Sequence, residues 1–167
     1  MKIAIVYGTN LGNTAEVANL IAKEMKISNK DVYDVNDVDT NTLNQYEAFI
    51  LGTSTWGIGD MVDSWQEFNF KKFNLNNKVV ALFGLGDSQI YAFTFCNGLA
   101  KLHKAIQTNN KKVKIVGETS TKNYTYSESE AVKNNKFIGL VIDYDNFPDK
   151  VSEQIKDWVK NIKKYFI

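Results

Sequence analysis

Residues 2–25 read KIAIVYGTNLGNTAEVANLIAKEM, and this stretch decides the fold. The β-branched apolar run KIAIVY (2–7) stops at Gly8, which predicts a buried strand. A helical pattern begins a few residues later, with Val17, Leu20, Ile21 and Met25 at three- and four-residue spacing. Asn13 followed by Glu16 is expected to cap that helix. Strand, polar loop and helix together form the opening unit of an alternating β/α chain.

The alternation continues. DVYDV (31–35) reads as an edge-like strand, AFILG (48–52) as a third, KVVALFGLG (78–86) as a fourth and KVKIVG (112–117) as a fifth. A mostly polar stretch, 118–136, separates the fifth from FIGLVID (137–143), which reads as strand again. Helical patterns fall near 40–45, at 61–69, from about 92 to 109, and at the end, where Val151, Ile155, Trp158, Val159, Ile162 and Phe166 share one face. Strands that are continuous apolar runs must be buried on both faces, so the pattern implies a parallel sheet covered by helices. In such doubly wound sheets ligands bind beyond the C-terminal ends of the strands.

Composition narrows the chemistry. The 167 residues include 20 lysines and no arginine, 19 carboxylates, one cysteine and one histidine, for a net charge of +1. One cysteine and one histidine leave no set of ligands for zinc or an iron–sulfur cluster, and no Cys/His catalytic pair of the usual spacing. The near-zero charge gives no case for nucleic-acid or membrane-surface binding. No apolar run is long enough for a signal-peptide core or a bilayer span. A soluble, cytoplasmic, monomeric chain is expected. Any anion must be held by backbone amides, hydroxyls or lysine, because no guanidinium is present.

Three loops sit where a ligand would bind. Thr9, Asn10, Leu11, Gly12, Asn13 and Thr14 follow the first strand, and a glycine-containing turn at a helix N-terminus favours an anion without contributing charge. The loop is neither a P-loop nor Gly-x-Gly-x-x-Gly, since the Gly-Lys-Ser/Thr ending and two of the glycines are missing. Ser54, Thr55, Trp56 and Gly57 follow the third strand. Leu85, Gly86, Asp87 and, shortly after, Tyr91 follow the fourth. Two aromatics beside an anion cradle suit a planar ring with a phosphate tail. His103, Cys96, Trp65 and Trp158 read as helix-face or core residues. Asp60, Asp63 and Glu67 lie in a stretch, 53–70, without lysine, so an acidic rim is expected there.

The segments YGTNLGNTAEVA, STWGIGDMVDSW, LFGLGDSQIY and FIGLVIDYDNFPD resemble those of long-chain flavodoxins over essentially the whole chain. The resemblance implies a flavodoxin-like three-layer α/β sandwich. Its five-stranded parallel sheet would run in order 2-1-3-4-5, with 118–136 interrupting the fifth strand, in a single domain, 1–167. It implies FMN bound non-covalently, with Thr9, Asn10, Gly12, Asn13 and Thr14 on the phosphate, Trp56 and Tyr91 on the ring faces, Asp87 and Gly86 at the pyrimidine edge, and Asp145 nearby. Leu11 stands where the family usually has a hydroxyl, and Phe93 and Thr94 replace a more polar pair. The function implied is low-potential one-electron carriage through the semiquinone/hydroquinone couple. Redox partners such as a flavodoxin/ferredoxin-NADP reductase or a 2-oxoacid oxidoreductase would follow. The rival reading is an NAD(P)H-dependent FMN quinone reductase, on which a hydride donor would need access to a flavin face.

Overall fold

The computed structural model describes residues 1–167. In chain order the elements are β1 (Ile3–Gly8), α1 (Asn13–Met25), β2 (Val32–Asp34), α2 (Thr40–Leu43), β3 (Ala48–Trp56), β4 (Asp60–Met61), α3 (Asp63–Gln66), β5 (Val79–Leu85), α4 (Asn97–Asn109), β6 (Lys114–Val116), β7 (Thr119–Ser120), β8 (Val132–Lys133), β9 (Lys136–Phe137), β10 (Leu140–Ile142) and α5 (Val151–Ile162). The main sheet runs β2-β1-β3-β5-β10, with every one of these neighbours parallel. That is the expected order, the fourth position being held by β5 because the two-residue β4 is only an antiparallel extension of β3.

The outer strand is split. Val79–Ala81 of β5 pair with β6, and Phe83–Leu85 pair with β10, both in parallel. The chain between the two halves carries a separate antiparallel sheet in the order β7-β9-β8. FIGLVID is therefore not one strand: Phe137 belongs to β9 and Leu140–Ile142 to β10. Its apolar character is continuous because both pieces are buried, one in each sheet.

Both faces of the main sheet are covered, as the apolar runs require. Ala4, Val6, Phe49, Leu51, Val80 and Leu82 face one core with Trp65 and the α4 residues Leu99, Leu102 and Ile106. Ile5, Ile50, Ala81 and Phe83 face the other, with Val17 and Ile21 of α1 and Ile155, Trp158 and Val159 of α5. Residues adjacent in a strand fall in opposite cores, the period-2 signature of a strand buried on both sides.

Three boundaries depart from expectation. β3 continues to Trp56, because Thr53 and Ser54 pair with Gly84 and Leu85 and Trp56 pairs with Asp60; polar residues in a strand resemble a loop in sequence. The helix expected from about 92 starts only at Asn97, after a run of turns. The helical pattern at 61–69 is a single turn, Asp63–Gln66, because the apolar residues beyond it form an aromatic cluster instead. Trp65 meets Phe68 edge-on at 5.2 Å and stacks on Phe70 at 5.7 Å. No helix is long and apolar enough to cross a membrane.

Trp65 is fully buried, and its indole N–H donates to the Gly52 carbonyl at 2.8 Å. Trp65→Phe should cost about 1–3 kcal/mol through the lost buried hydrogen bond. Trp65→Ala should cost about 3–5 kcal/mol through the cavity it leaves. Urea unfolding of the two variants checks the ranking. His103 on α4 is also buried, with Nδ1 3.5 Å from Lys133 Nζ of β8. Burial, then the lysine charge, pushes its imidazole down to about 4. The unfolded chain, titrating near 6.5, takes up this proton first, so stability falls as pH drops through that value and stops falling below about pH 4. The loss should reach about 3 kcal/mol at most. His103→Gln should remove this component, seen as a smaller fall in urea midpoint than the parent shows over the same pH range.

Candidate functional site

The C-terminal ends of β1, β3 and β5 open into a cavity of about 420 Å³. Its first wall is the β1–α1 loop. Gly12 adopts φ +95°, a left-handed conformation natural to glycine, and it precedes α1 without any side-chain cap. The expected Asn13–Glu16 cap does not form, since Asn13 is already the first helical residue and the Glu16 carboxylate instead accepts from the Tyr144 hydroxyl at 2.7 Å. Glu16 N–H donates to the Gly12 carbonyl, so the amides of Asn13, Thr14 and Ala15 are left without helical acceptors. Thr9 Oγ1 accepts from the Gly12 N–H at 2.9 Å and closes the turn.

Thr14 is the most telling residue of this wall. It is 1% exposed, lines the cavity, and its hydroxyl has no partner in the protein. A buried hydroxyl left unpaired costs about 1–3 kcal/mol unless something supplies an acceptor. With free amides at a helix N-terminus and no lysine lining the cavity, the donor set suits an anion such as phosphate. Thr9, Asn10, Leu11, Asn13 and Thr14 line this wall, whereas Gly12 shapes the turn from outside it. Leu11 is 83% exposed, so the position that lacks a hydroxyl offers an apolar side chain to solvent.

The second wall is the β3–β4 hairpin, from which Ser54, Thr55, Trp56 and Gly57 line the cavity. Trp56 is 47% exposed, unlike the core residues Trp65 and Trp158. Gly57 sits at φ +54°, in the left-handed region, with nothing near the place a side chain would occupy. The hairpin is braced by α4: Thr55 Oγ1 accepts from Gly98 N–H at 3.1 Å, and Lys101 pairs with Asp60. That ion pair opposes one carboxylate of the expected acidic rim, Asp60, while Asp63 and Glu67 are exposed without a lysine partner. Residues 53–70 contain no lysine, but α4 delivers one to Asp60 across the fold.

Leu85, Gly86, Asp87 and Tyr91 form the third wall, and Asp145 is exposed at its mouth. Tyr91 is 52% exposed, and its N–H donates to the Asp87 carbonyl at 3.0 Å. Asp87 Oδ1 accepts from Gln89 N–H, Ile90 N–H and Asn146 Nδ2, at 3.0, 2.9 and 2.9 Å. Burial pushes this carboxyl up, but those bonds outweigh it and hold it below its ordinary value. Thr94, Cys96 and Tyr144 also line the cavity. Sequence reading missed them: Thr94 and Cys96 lie in a segment that reads as helix, and Tyr144 adjoins Asp145. Cys96 is fully buried, and burial, with the charge of Asp143, drives its thiol well above the usual range, so it is inert.

A doubly wound parallel sheet with a charge-free anion cradle and two exposed aromatics at its strand ends defines a protein that binds a phosphorylated planar ring. The flavodoxin family model matches residues 5–158. A flavodoxin from Synechocystis sp. is 39% identical over 97% of this chain and 96% of its own length. One from Buchnera aphidicola subsp. Baizongia pistaciae is 37% identical over 97% and 94%. The crystal structure of Fusobacterium nucleatum flavodoxin bound to flavin mononucleotide superposes with a TM-score of 0.87 at 32% identity, covering 99% of both chains. The chain belongs to the flavodoxins.

Thr14→Val should leave the free protein as stable as the parent or more so, because it removes an unpaired buried hydroxyl. The same change should abolish most of the rise in thermal midpoint that inorganic phosphate gives the parent. Thermal melts with and without phosphate measure both effects.

Proposed function

We propose that this flavodoxin carries single electrons between redox proteins on a non-covalently bound FMN, the whole chain, 1–167, forming one cofactor-binding domain. One observation carries the reading: a single cavity has unpaired neutral donors at one wall and two half-exposed aromatic rings on the others. Bound FMN supplies the one-electron chemistry that no side chain here can perform.

Each wall then has a task. Thr9, Asn10, Gly12, Asn13 and Thr14 hold the phosphate through hydroxyls and amides, with Leu11 contributing backbone only. Trp56 and Tyr91 cover the two ring faces, exclude water and deny a hydride donor its approach. Ser54, Thr55, Leu85 and Gly86 frame the ring, and Asp87 accepts from its imide N–H through the oxygen its own loop leaves free. Asp145 places a negative charge at the mouth. Gly57, already at positive φ, would let its carbonyl turn to accept a hydrogen bond from a ring N–H at little conformational cost.

The partners are redox proteins. Leu11, Ile58, Ile90 and Phe93 are all exposed large apolar side chains in the cavity loops. A partner surface that covers this apolar mouth would bring its own redox centre to the ring edge. A flavodoxin/ferredoxin-NADP reductase and a 2-oxoacid oxidoreductase are the partners we favour. The cytoplasm is the compartment we favour, a lone buried thiol with no disulfide being suited to a reducing environment.

Purified protein should be yellow, take up FMN, accept electrons in two separate one-electron steps and oxidise no NADPH by itself. Gly57→Thr should narrow the gap between the two midpoint potentials in a dithionite titration. A single two-electron step with rapid intrinsic NADPH oxidation would instead identify a quinone reductase.

A further inference from the structure

Asp143 follows β10 directly and is 4% exposed, yet the protein's one ion pair, Lys101–Asp60, lies elsewhere. Only neutral donors meet its carboxylate. Ser88 donates through both its N–H, at 3.2 Å, and its hydroxyl, and Asn146 donates through its N–H, at 3.4 Å, and its side-chain amide. Burying a carboxylate without a cation is costly unless such donors replace the water it loses.

The Asn146 amide has two hydrogens, and they go to two carboxylates. One reaches Asp143 Oδ1 at 2.8 Å and the other Asp87 Oδ1 at 2.9 Å. The β5 loop is thus tied to the β10 loop at two points, Ser88 to Asp143 and Asp87 to Asn146, beside the backbone bond from Gly86 N–H to the Ile142 carbonyl. Asp87 Oδ1, with three donors, is saturated, while Oδ2 of this cavity-lining residue has no protein partner.

We infer that Asp143 and Asn146 are positioning residues for ring recognition: acting through Asp87, they commit one of its oxygens to the protein and leave the other for a donor on the bound ring. The inference rests on the FMN reading above. It assigns to the β10 loop a role that none of its residues performs by touching the ring, and it confines that role to the ring end of the cavity. The phosphate wall, Thr9–Thr14, shares no hydrogen bond with Asp143, Asn146, Ser88 or Asp87, and the β10 loop meets the first turn of α1 through the Tyr144–Glu16 bond instead.

The test uses the full chain freed of cofactor, with riboflavin as the ring-only probe, FMN as the whole ligand and inorganic phosphate as the tail-only probe. Asn146→Asp keeps the shape but removes both amide donors. It should weaken riboflavin and FMN alike by about tenfold while leaving phosphate-dependent stabilisation as in the parent. The paired change Asp143→Asn with Asn146→Asp restores a donor–acceptor contact between those two positions but still sets two carboxylates against each other at Asp87. It should recover the thermal midpoint and not the riboflavin affinity. Riboflavin affinity unchanged in Asn146→Asp, phosphate stabilisation falling in step with it, or riboflavin affinity returning with the midpoint in the paired variant would each overturn the inference. A parent chain that binds neither flavin would bring down the FMN reading itself, a separate result from a flavin-binding parent whose variants do not differ from it.

Discussion

Gly8, Thr53 and Gly84 lie side by side across three parallel strands, and the cavity hangs on that register. Parallel pairing aligns the C-terminal ends of β1, β3 and β5, so the chain must leave the sheet three times at one edge. The loops that follow converge without any contact between them having to specify it. A one-residue slip in β3 would exchange the side chains that face the two cores, putting Phe49 and Leu51 where Ile50 packs, and close packing of two differently shaped cores opposes it. The hydrophobic packing of Phe49, Ile50 and Leu51 therefore fixes the position of Trp56, which lies further along the same strand and takes no part in the core.

This explains which parts of the molecule are legible in the sequence. Continuous apolar runs mark β1, β3 and β5 because burial on both faces leaves no room for polar residues. Their ends mark the loops, so the candidate residues are recognisable before any contact is known. Thr53 and Ser54 escape as strand because their pairing partners, Gly84 and Leu85, are distant in the chain, and Thr55 and Trp56 because their hairpin with Asp60 and Met61 is only two pairs long. The split of FIGLVID between two sheets is equally invisible, since both halves are buried and apolar. In the site, Thr94, Cys96, Tyr144 and the Lys101–Asp60 pair depend on how α4 and the β10 loop approach the strand ends. No spacing rule within one segment encodes such an approach.

Charge is a second case where local composition misleads. Residues 53–70 contain carboxylates and no lysine, yet Lys101 neutralises Asp60 from across the hairpin. The carboxylates that remain beside the cavity, Asp87 and Asp145, come from two other loops. Asp143 adds a third, buried just behind them. The negative field at the ring end is thus assembled from separate strands, while the phosphate end is kept neutral. A net charge of +1 is the sum of these local arrangements and describes none of them.

The neutral phosphate wall has an energetic consequence of its own. A lysine or arginine in the loop would attract an anion but would also remain solvated and satisfied without one. Thr14 and the first amides of α1 have no such alternative: the hydroxyl is shut off from water, and the amides lie at a helix end where no carbonyl reaches them. The unpaired buried Thr14 hydroxyl costs about 1–3 kcal/mol until an acceptor arrives, so the free protein holds this wall at the expense of its own stability. An anion that accepts from the Thr14 hydroxyl returns that energy, and the turn closed by Thr9 and Gly12 already holds the donors together. Folding stability and cofactor affinity are in this way coupled through the same few groups, which suits a carrier that keeps its cofactor through every cycle of reduction and oxidation.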